Sequence, residues 1–213
     1  YTDRNVYFEN INFRVSKVGD RINVSDEMMA DAPALDALLR QVITTHLSQK
    51  KERHILRGNG VGQPLGILNA PALINVTPGT NSAFTWVDVT TMLSRFRPGE
   101  ASRVRWVMHR SLLPDLGNLQ VASGSAATWV QNIGTDNPDM LPLMRYGIYF
   151  SEHLPQADSS GDALLVDFGQ YGLWEKGEIR IQFSEHAGFN TGEIVWRFDE
   201  RYDGQPLARA AVT

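Results

Sequence analysis

The chain has 213 residues, 42% hydrophobic and 21% charged, which is enough apolar material for one large or two small domains with a sizeable core. A formal net charge of −4 argues against a protein whose main task is gripping nucleic acid, and the absence of cysteine excludes disulfide staples, thiolate zinc sites and a cysteine nucleophile. No apolar run approaches the roughly 20 residues of a membrane helix and no signal peptide opens the chain, so no membrane contact is expected; from the start at Tyr1 rather than Met, a fragment, a processed product or only the ordered part of something longer is expected.

Residues 7–16 are predicted as a strand, because Phe8, Ile11, Phe13 and Val15 mostly alternate with Glu9, Asn12, Arg14 and Ser16. A partner strand is expected at Asp20–Val24, after Gly19. A two-stranded ribbon of this kind is marginal alone, so residues 1–20 are expected to need cover from a neighbouring subunit. Ser25-Asp26-Glu27 opens a short helical turn, and Asp31 with Pro33 starts a long helix over Ala34–Leu56. In it Leu35, Leu38, Leu39, Val42 and Ile43 form one apolar stripe at helical spacing. From Ser48 to His54 the stripe fails, since Gln49, Lys50, Lys51, Glu52 and Arg53 are polar on every side. Such a helix spans roughly 35 Å; it is expected to be a strut whose far end meets solvent or another subunit, with a frayed surface helix as the plainer alternative.

Gly58-Asn59-Gly60-Val61-Gly62 follows directly. Phosphate cradles need a strand before the glycines and a helix after them, and here the helix comes first, with no Gly-Lys-Ser/Thr. A tight reversal of the chain is the better reading. Thr77–Ser82 reads as a loop, and Thr85 with Asp88 reads as a capping box that starts a second helix. Phe84 and Val89 are placed for a hydrophobic staple, with Val89, Leu93 and Phe96 as the buried face until Pro98-Gly99. Arg103–His109 alternates Val104, Trp106 and Met108 as a strand, and Ser111–Leu116 is a short helix. Gly117–Pro142, rich in small polar residues, is expected to be an exposed lobe. Strands are then predicted at Ile148–Ser151, Ala163–Asp167, Tyr171–Trp174, Glu178–Ser184, Gly192–Arg201 and Leu207–Val212, with Lys176-Gly177 as a hairpin turn. The fold class is α+β.

No catalytic, cofactor-binding or metal-ligating residue is assigned. There is no Gly-x-Ser-x-Gly elbow, and the histidines at 46, 54, 109, 153 and 186 never form a His-Glu-x-x-His pattern. Glu152–His153 and Glu185–His186 would point to opposite faces of their strands. Asp199-Glu200-Arg201 reads as a structural ion-pair cluster. The basic groups Lys50-Lys51-Glu52-Arg53 and Arg103, Arg105, Arg110 lack interleaved aromatics, so a solvated face or a subunit contact is expected there.

The order of segments resembles the major capsid proteins of tailed phages, the Hong Kong 97-type coat fold. The matching stretches are Val24–Asp31 leading into the long helix, Gly58–Leu68, Trp106–Arg110, Leu141–Pro155, Ala163–Tyr171 and Phe198–Gly204. The resemblance implies that residues 1–24 are part of the extended (E) loop. It implies a peripheral (P) domain with its spine helix at 25–99, an axial (A) domain at 100–177, and a return to the P domain at 178–213. The function it implies is a coat protein that self-assembles into hexamers and pentamers of an icosahedral shell around double-stranded DNA. Portal, scaffold and decoration proteins are the implied partners, contact with packaged DNA is non-specific, and assembly occurs in the host cytoplasm. An encapsulin-type compartment shell is the alternative; a hydrolase or nucleotide-binding enzyme is the second.

Some members of that family weld neighbouring subunits through an E-loop Lys and a P-domain Asn, assisted by a carboxylate. The resemblance puts the carboxylate at Asp199 and the Asn position at Gly192, which has no amide, while Asn190 lies two residues away. Shells held by non-covalent contacts or accessory proteins are therefore expected.

Overall fold

Glu193–Pro206 forms the longest strand of the chain, 14 residues, and every other strand of its sheet is hydrogen-bonded to it. In this computed structural model residues 10–31, 35–79, 83–97, 101–119, 142–188 and 190–208 are described. In chain order the elements are β1 (Ser16–Ser25), α1 (Asp26–Asp31), α2 (Leu35–Arg57), α3 (Trp86–Arg95), β2 (Val104–Met108) and α4 (Leu113–Gly117). They continue with β3 (Pro142–Leu143), β4 (Tyr146–Phe150), β5 (Ala163–Asp167), β6 (Tyr171–Glu175), β7 (Arg180–Gly188) and β8 (Glu193–Pro206).

β1 runs antiparallel to β8 along its whole length, from Ser16 opposite Tyr202 to Ser25 opposite Glu193. On the other edge β7 and β6 lie end to end, Arg180 opposite Asp199 and Glu175 opposite Tyr202. This corrects three expectations. The strand expected at 7–16 begins only at Ser16; residues 10–15 are irregular, and 1–9 lie outside the described residues. Gly19 does not turn the chain but sits inside β1, because a Cβ there would come within 2.5 Å of the Phe198 carbonyl. Lys176-Gly177 joins two strands that continue in one direction along β8, so it is a break in an edge and not a hairpin. Of the side chains expected to find cover on a neighbouring subunit, Phe8 lies outside the described residues, while Ile11 and Phe13 are half-buried, Phe13 with its ring 6.5 Å from that of Trp174 of the same chain. Leu207 and Ala208 are not in a strand, and 209–213 are not described.

The second sheet has the order β3-β4-β2-β5, with β2 parallel to β4 and antiparallel to β5. Alternation predicted one buried face for β2, yet Val107 is as buried as Val104, Trp106 and Met108. Both faces are covered. Val104, Trp106 and Met108 pack with Val89 of α3 and with Leu112 and Leu116, and the Trp106 indole N–H donates to the Leu143 carbonyl at 3.0 Å. Val107 packs on the opposite side with Leu56 of α2, Leu164 and Val166. α3 starts as its sequence indicates: the Asp88 carboxylate accepts from the Thr85 N–H at 2.9 Å and from its hydroxyl at 2.6 Å. The lobe expected at Gly117–Pro142 falls mostly outside the described residues.

α2 spans 23 residues and touches both sheets. Leu39, Ile43 and Leu47 pack on Trp196 and Phe198 of β8, whereas Leu56 joins the core under β2 and β5. Leu38, assigned to the apolar stripe, is instead 55% exposed. At the end of α2 the glycines reverse the chain as expected. The Gly66 N–H donates to the Gly58 carbonyl at 2.8 Å, and Gly60 and Gly62 take φ of 77° and 66°. A Cβ on Gly58 would lie 2.1 Å from the Pro64 carbonyl oxygen, so only glycine fits that crossing.

The polar end of α2 stays helical to Arg57 and is half-buried: Ser48, Gln49 and Arg53 remain exposed, while Lys50, Lys51, Glu52 and His54 face other elements of the chain. Lys51 reaches Glu200 of β8 at 2.7 Å and Glu175 of β6 at 2.8 Å. The Glu200 side chain is only 6% exposed, so removing its cation strands a charge in a poor solvent. Lys51→Met should therefore lower subunit stability by about 3 kcal/mol. The double variant Lys51→Met with Glu200→Leu should recover most of it, because two apolar groups replace a buried ion pair at little cost. Urea unfolding of the unassembled subunit reads both values; equal losses in the single and double variants would contradict the argument.

Candidate functional site: the helix seam and the assembly surface

The residues the sequence marked as a free basic run form a seam between α2 and the two sheets. Lys50 donates to the Gly19 carbonyl at 2.9 Å, Lys51 holds Glu175 and Glu200, and Glu52 accepts from the Ser151 hydroxyl beside β4. The His54 Nδ1 and the Tyr202 hydroxyl are 2.9 Å apart, and the Lys51 ammonium lies 5.3 Å from the Tyr202 ring centroid. The expectation of a solvated face holds for Arg53, which is exposed, while Lys50, Lys51 and Glu52 are half-buried against other elements of the same chain. A polar stripe on a helix finds buried polar partners as readily as water when facing strands supply them, and β8 does, through Glu200 and Tyr202.

The electrostatics follow from that packing. Burial works against the Lys51 charge, but hydrogen bonds to Glu175 and Glu200 outweigh it, and the ammonium is held above the ordinary lysine value. Burial, then the charges of Glu200 and Glu175, push the Tyr202 phenol well above its usual value, so it stays protonated. Burial first, with Lys50 and Arg53 adding repulsion, lowers the His54 pKa and keeps its ring neutral.

The other candidates do not converge. Among the described residues no three His, Asp or Glu side chains are grouped to hold a metal. His46 is exposed on α2, and Glu185 and His186 are exposed on β7. Glu152 does not work with His153; its carboxylate lies 3.2 Å from His109 Nε2, while His109 Nδ1 lies 2.8 Å from the Ser111 hydroxyl. That row of Ser, His and Glu was not legible in the sequence, since a turn of unknown shape brings 152 to 109. Its geometry is structural: His109 Nδ1 accepts from the Ser111 N–H at 3.1 Å to start a helical turn, and the Ser111 hydroxyl accepts from Ala157 N–H at 2.8 Å. Arg105 folds back onto the carbonyls of Ser102 and Val104. Asp199-Glu200-Arg201 is not one cluster: Asp199 faces Lys17 at 3.3 Å and Arg197 at 3.5 Å on one side of the sheet, Glu200 faces Lys51 on the other, and Arg201 is exposed.

What remains exposed is apolar in places. Phe183 is 61% exposed, Trp174 59%, Met28 56% and Val61 80%, on β7, β6, α1 and the glycine loop respectively. The sequence over residues 2–213 matches the model of the phage capsid family. The chain belongs to that family. Membership makes it a structural protein and not an enzyme, a major capsid protein of the kind that forms an icosahedral shell, and sets aside the hydrolase and nucleotide-binding readings.

Solved structures agree on the capsid fold. The chain is similar to the capsid of a native GTA particle at 18% identity and a TM-score of 0.77, over 94% of this chain and 72% of that one. It is similar to the Mycobacterium phage Adephagia structure at 14% identity and a TM-score of 0.62, over 94% and 68%. It also resembles the holo-SrpI encapsulin of Synechococcus elongatus at 15% identity and a TM-score of 0.57, over 92% and 71%. No curated protein matches the sequence.

The depressed His54 pKa has a consequence for this capsid chain. Its contribution is fully present above the unfolded value of 6.5 and is lost as pH falls through and below it, because the unfolded chain then binds the proton more readily. His54→Gln should flatten the acid side of the stability–pH curve of the unassembled subunit relative to wild type. Parallel curves for the two proteins between pH 7 and pH 5 would show that the ring pays no such penalty.

Proposed function

We propose that this phage capsid chain builds its shell from hexameric and pentameric capsomers around a double-stranded DNA genome, assembling in the cytoplasm of a bacterial host. The observation that carries the reading is the family match along residues 2–213. The fold supports it: one long helix welded to two sheets gives a stiff unit whose outer edges and apolar side chains stay available for neighbours. Packaged DNA is touched non-specifically, and portal, scaffold and decoration proteins complete the particle. Negative-stain microscopy and sedimentation of the full-length protein test this: closed shells are expected, and monomer alone at high concentration would overturn it. The encapsulin-like neighbour defines the alternative, an enzyme-loaded shell. Particles purified from infected cells should carry DNA and no cargo enzyme.

Residues 1–24 serve as part of the E-loop, 25–99 as the P domain with α2 as its spine, 100–177 as the A domain, and 178–213 as the return to the P domain. The pairing of β6 with β8 favours a return nearer Phe168. The shells are non-covalent. Gly192 carries no amide and takes φ of 63°, a conformation that favours glycine over asparagine, and Asn190 is displaced along the chain from any site opposite Asp199. Boiling assembled particles in detergent should release monomers, whereas a ladder of covalent pentamers and hexamers would refute this reading.

A further inference from the structure

The face of the β1-β8-β7 sheet turned away from α2 is strongly basic. By register it carries Lys17 and Arg21 on β1, Arg197 and Arg201 on β8 and Arg180 on β7, all exposed. Arg21 stands directly opposite Arg197, and Lys17 directly opposite Arg201. Like charges facing each other across a strand pair are destabilising. At the centre is Asp199, 7% exposed, opposite Gly19 on one side and Arg180 on the other. Its Oδ1 lies within 3.3 Å of Lys17 and 3.5 Å of Arg197, yet no hydrogen bond of good geometry reaches that atom. Arg21, Arg180 and Arg201 make no ion pair among the described residues. By the same alternation Glu193 and Asp203 lie on this face at the two ends of the patch, so five cations surround one central carboxylate with two more at the margins, a net positive patch on a chain that is acidic as a whole.

The matching charge is on the same chain. Asp26 and Glu27, both exposed, open α1 at the far end of β1 and precede the exposed Met28. Within one subunit the two patches do not meet, since Arg21 and Asp26 are separated by about 17 Å of extended chain. Two basic faces repel, so a symmetric face-to-face pair is disfavoured. An acidic end docking on a basic face is a heterologous contact, which closes into a ring where the rotation between copies divides a full turn.

We propose that the basic sheet face around Asp199 receives the acidic α1 end of a second copy of this chain, with Asp26 and Glu27 meeting Arg21, Arg180 and Arg201. This rests on the assembly reading above. The contact brings opposite charges together across a rim, so it speeds encounter and weakens with salt.

Charge reversal on the full-length protein tests it, with assembly followed by light scattering and microscopy. Wild-type shells must form first; their absence would sink the assembly reading itself, a distinguishable failure. R21E with R201E, and separately D26K with E27K, should each slow assembly about tenfold or more while the fold, checked by circular dichroism and melting, persists. Mixing the two variants should restore six-membered rings containing both, because in alternation each reversed face meets a reversed end and each untouched face an untouched end, whereas a ring of five keeps one mismatched contact. Unchanged assembly in both variants, or losses that mixing does not repair, overturns the proposal. Weakened binding of duplex DNA by R21E with R201E, without any loss of assembly, also overturns it and assigns the face to nucleic acid.

Discussion

Lys51 sits where α2 crosses the end of β6 and the middle of β8, with Glu175 on one side and Glu200 on the other. The rest of the structure depends on this ammonium in a direct way. The apolar contacts of Leu39, Ile43 and Leu47 would hold α2 against the first sheet alone. The helix reaches the second sheet only by continuing through a polar stretch, one side of which is half-buried against the strands. Burial of Glu200 is tolerable because a cation is already in place, and the cation is tolerable because two carboxylates and the Tyr202 ring surround it.

The same logic explains why a polar helix end can lie inside a protein without being a site. His54, Glu52 and Lys50 each find a partner on a different element: Tyr202 on β8, Ser151 after β4, and the Gly19 carbonyl on β1. Every bond fixes α2 against one more strand. Together they set the rotation of the helix about its axis, which apolar packing alone defines loosely.

Much of this was legible in the chain, and the failures have a common cause. Local signals held where one residue's chemistry decides: the Thr85–Asp88 cap, the helix through Arg57, the glycine reversal, and β5 to the residue. They failed where the partner lies far away in sequence. Lys51 looked solvated because Glu175 and Glu200 are 124 and 149 residues distant. Gly19 and Gly177 looked like turns because glycine does turn chains, whereas Gly19 is required by close approach to Phe198. His109, Ser111 and Glu152 converge through a turn that no periodicity announces. The family could be recognised from the order of weak segments, but the charge on the sheet face emerges only once register sets alternate residues of β1, β7 and β8 side by side.

The break between β6 and β7 deserves to be weighed with the position of Lys51. Along β8 the sheet is three strands wide up to Asp199 and pairs with β6 from Tyr202 on, held across the gap by the Lys176 N–H on the Arg201 carbonyl at 2.9 Å. A change of width in a sheet is mechanically a crease, the natural line along which it would fold. Here the crease is pinned: Glu175 ends one segment, Glu200 lies on the continuous strand beside it, and one ammonium holds both. Flexing the sheet along that line means pulling a cation from between two anions. A subunit that must sit at different curvatures in one closed surface therefore has to bend somewhere other than at its own crease.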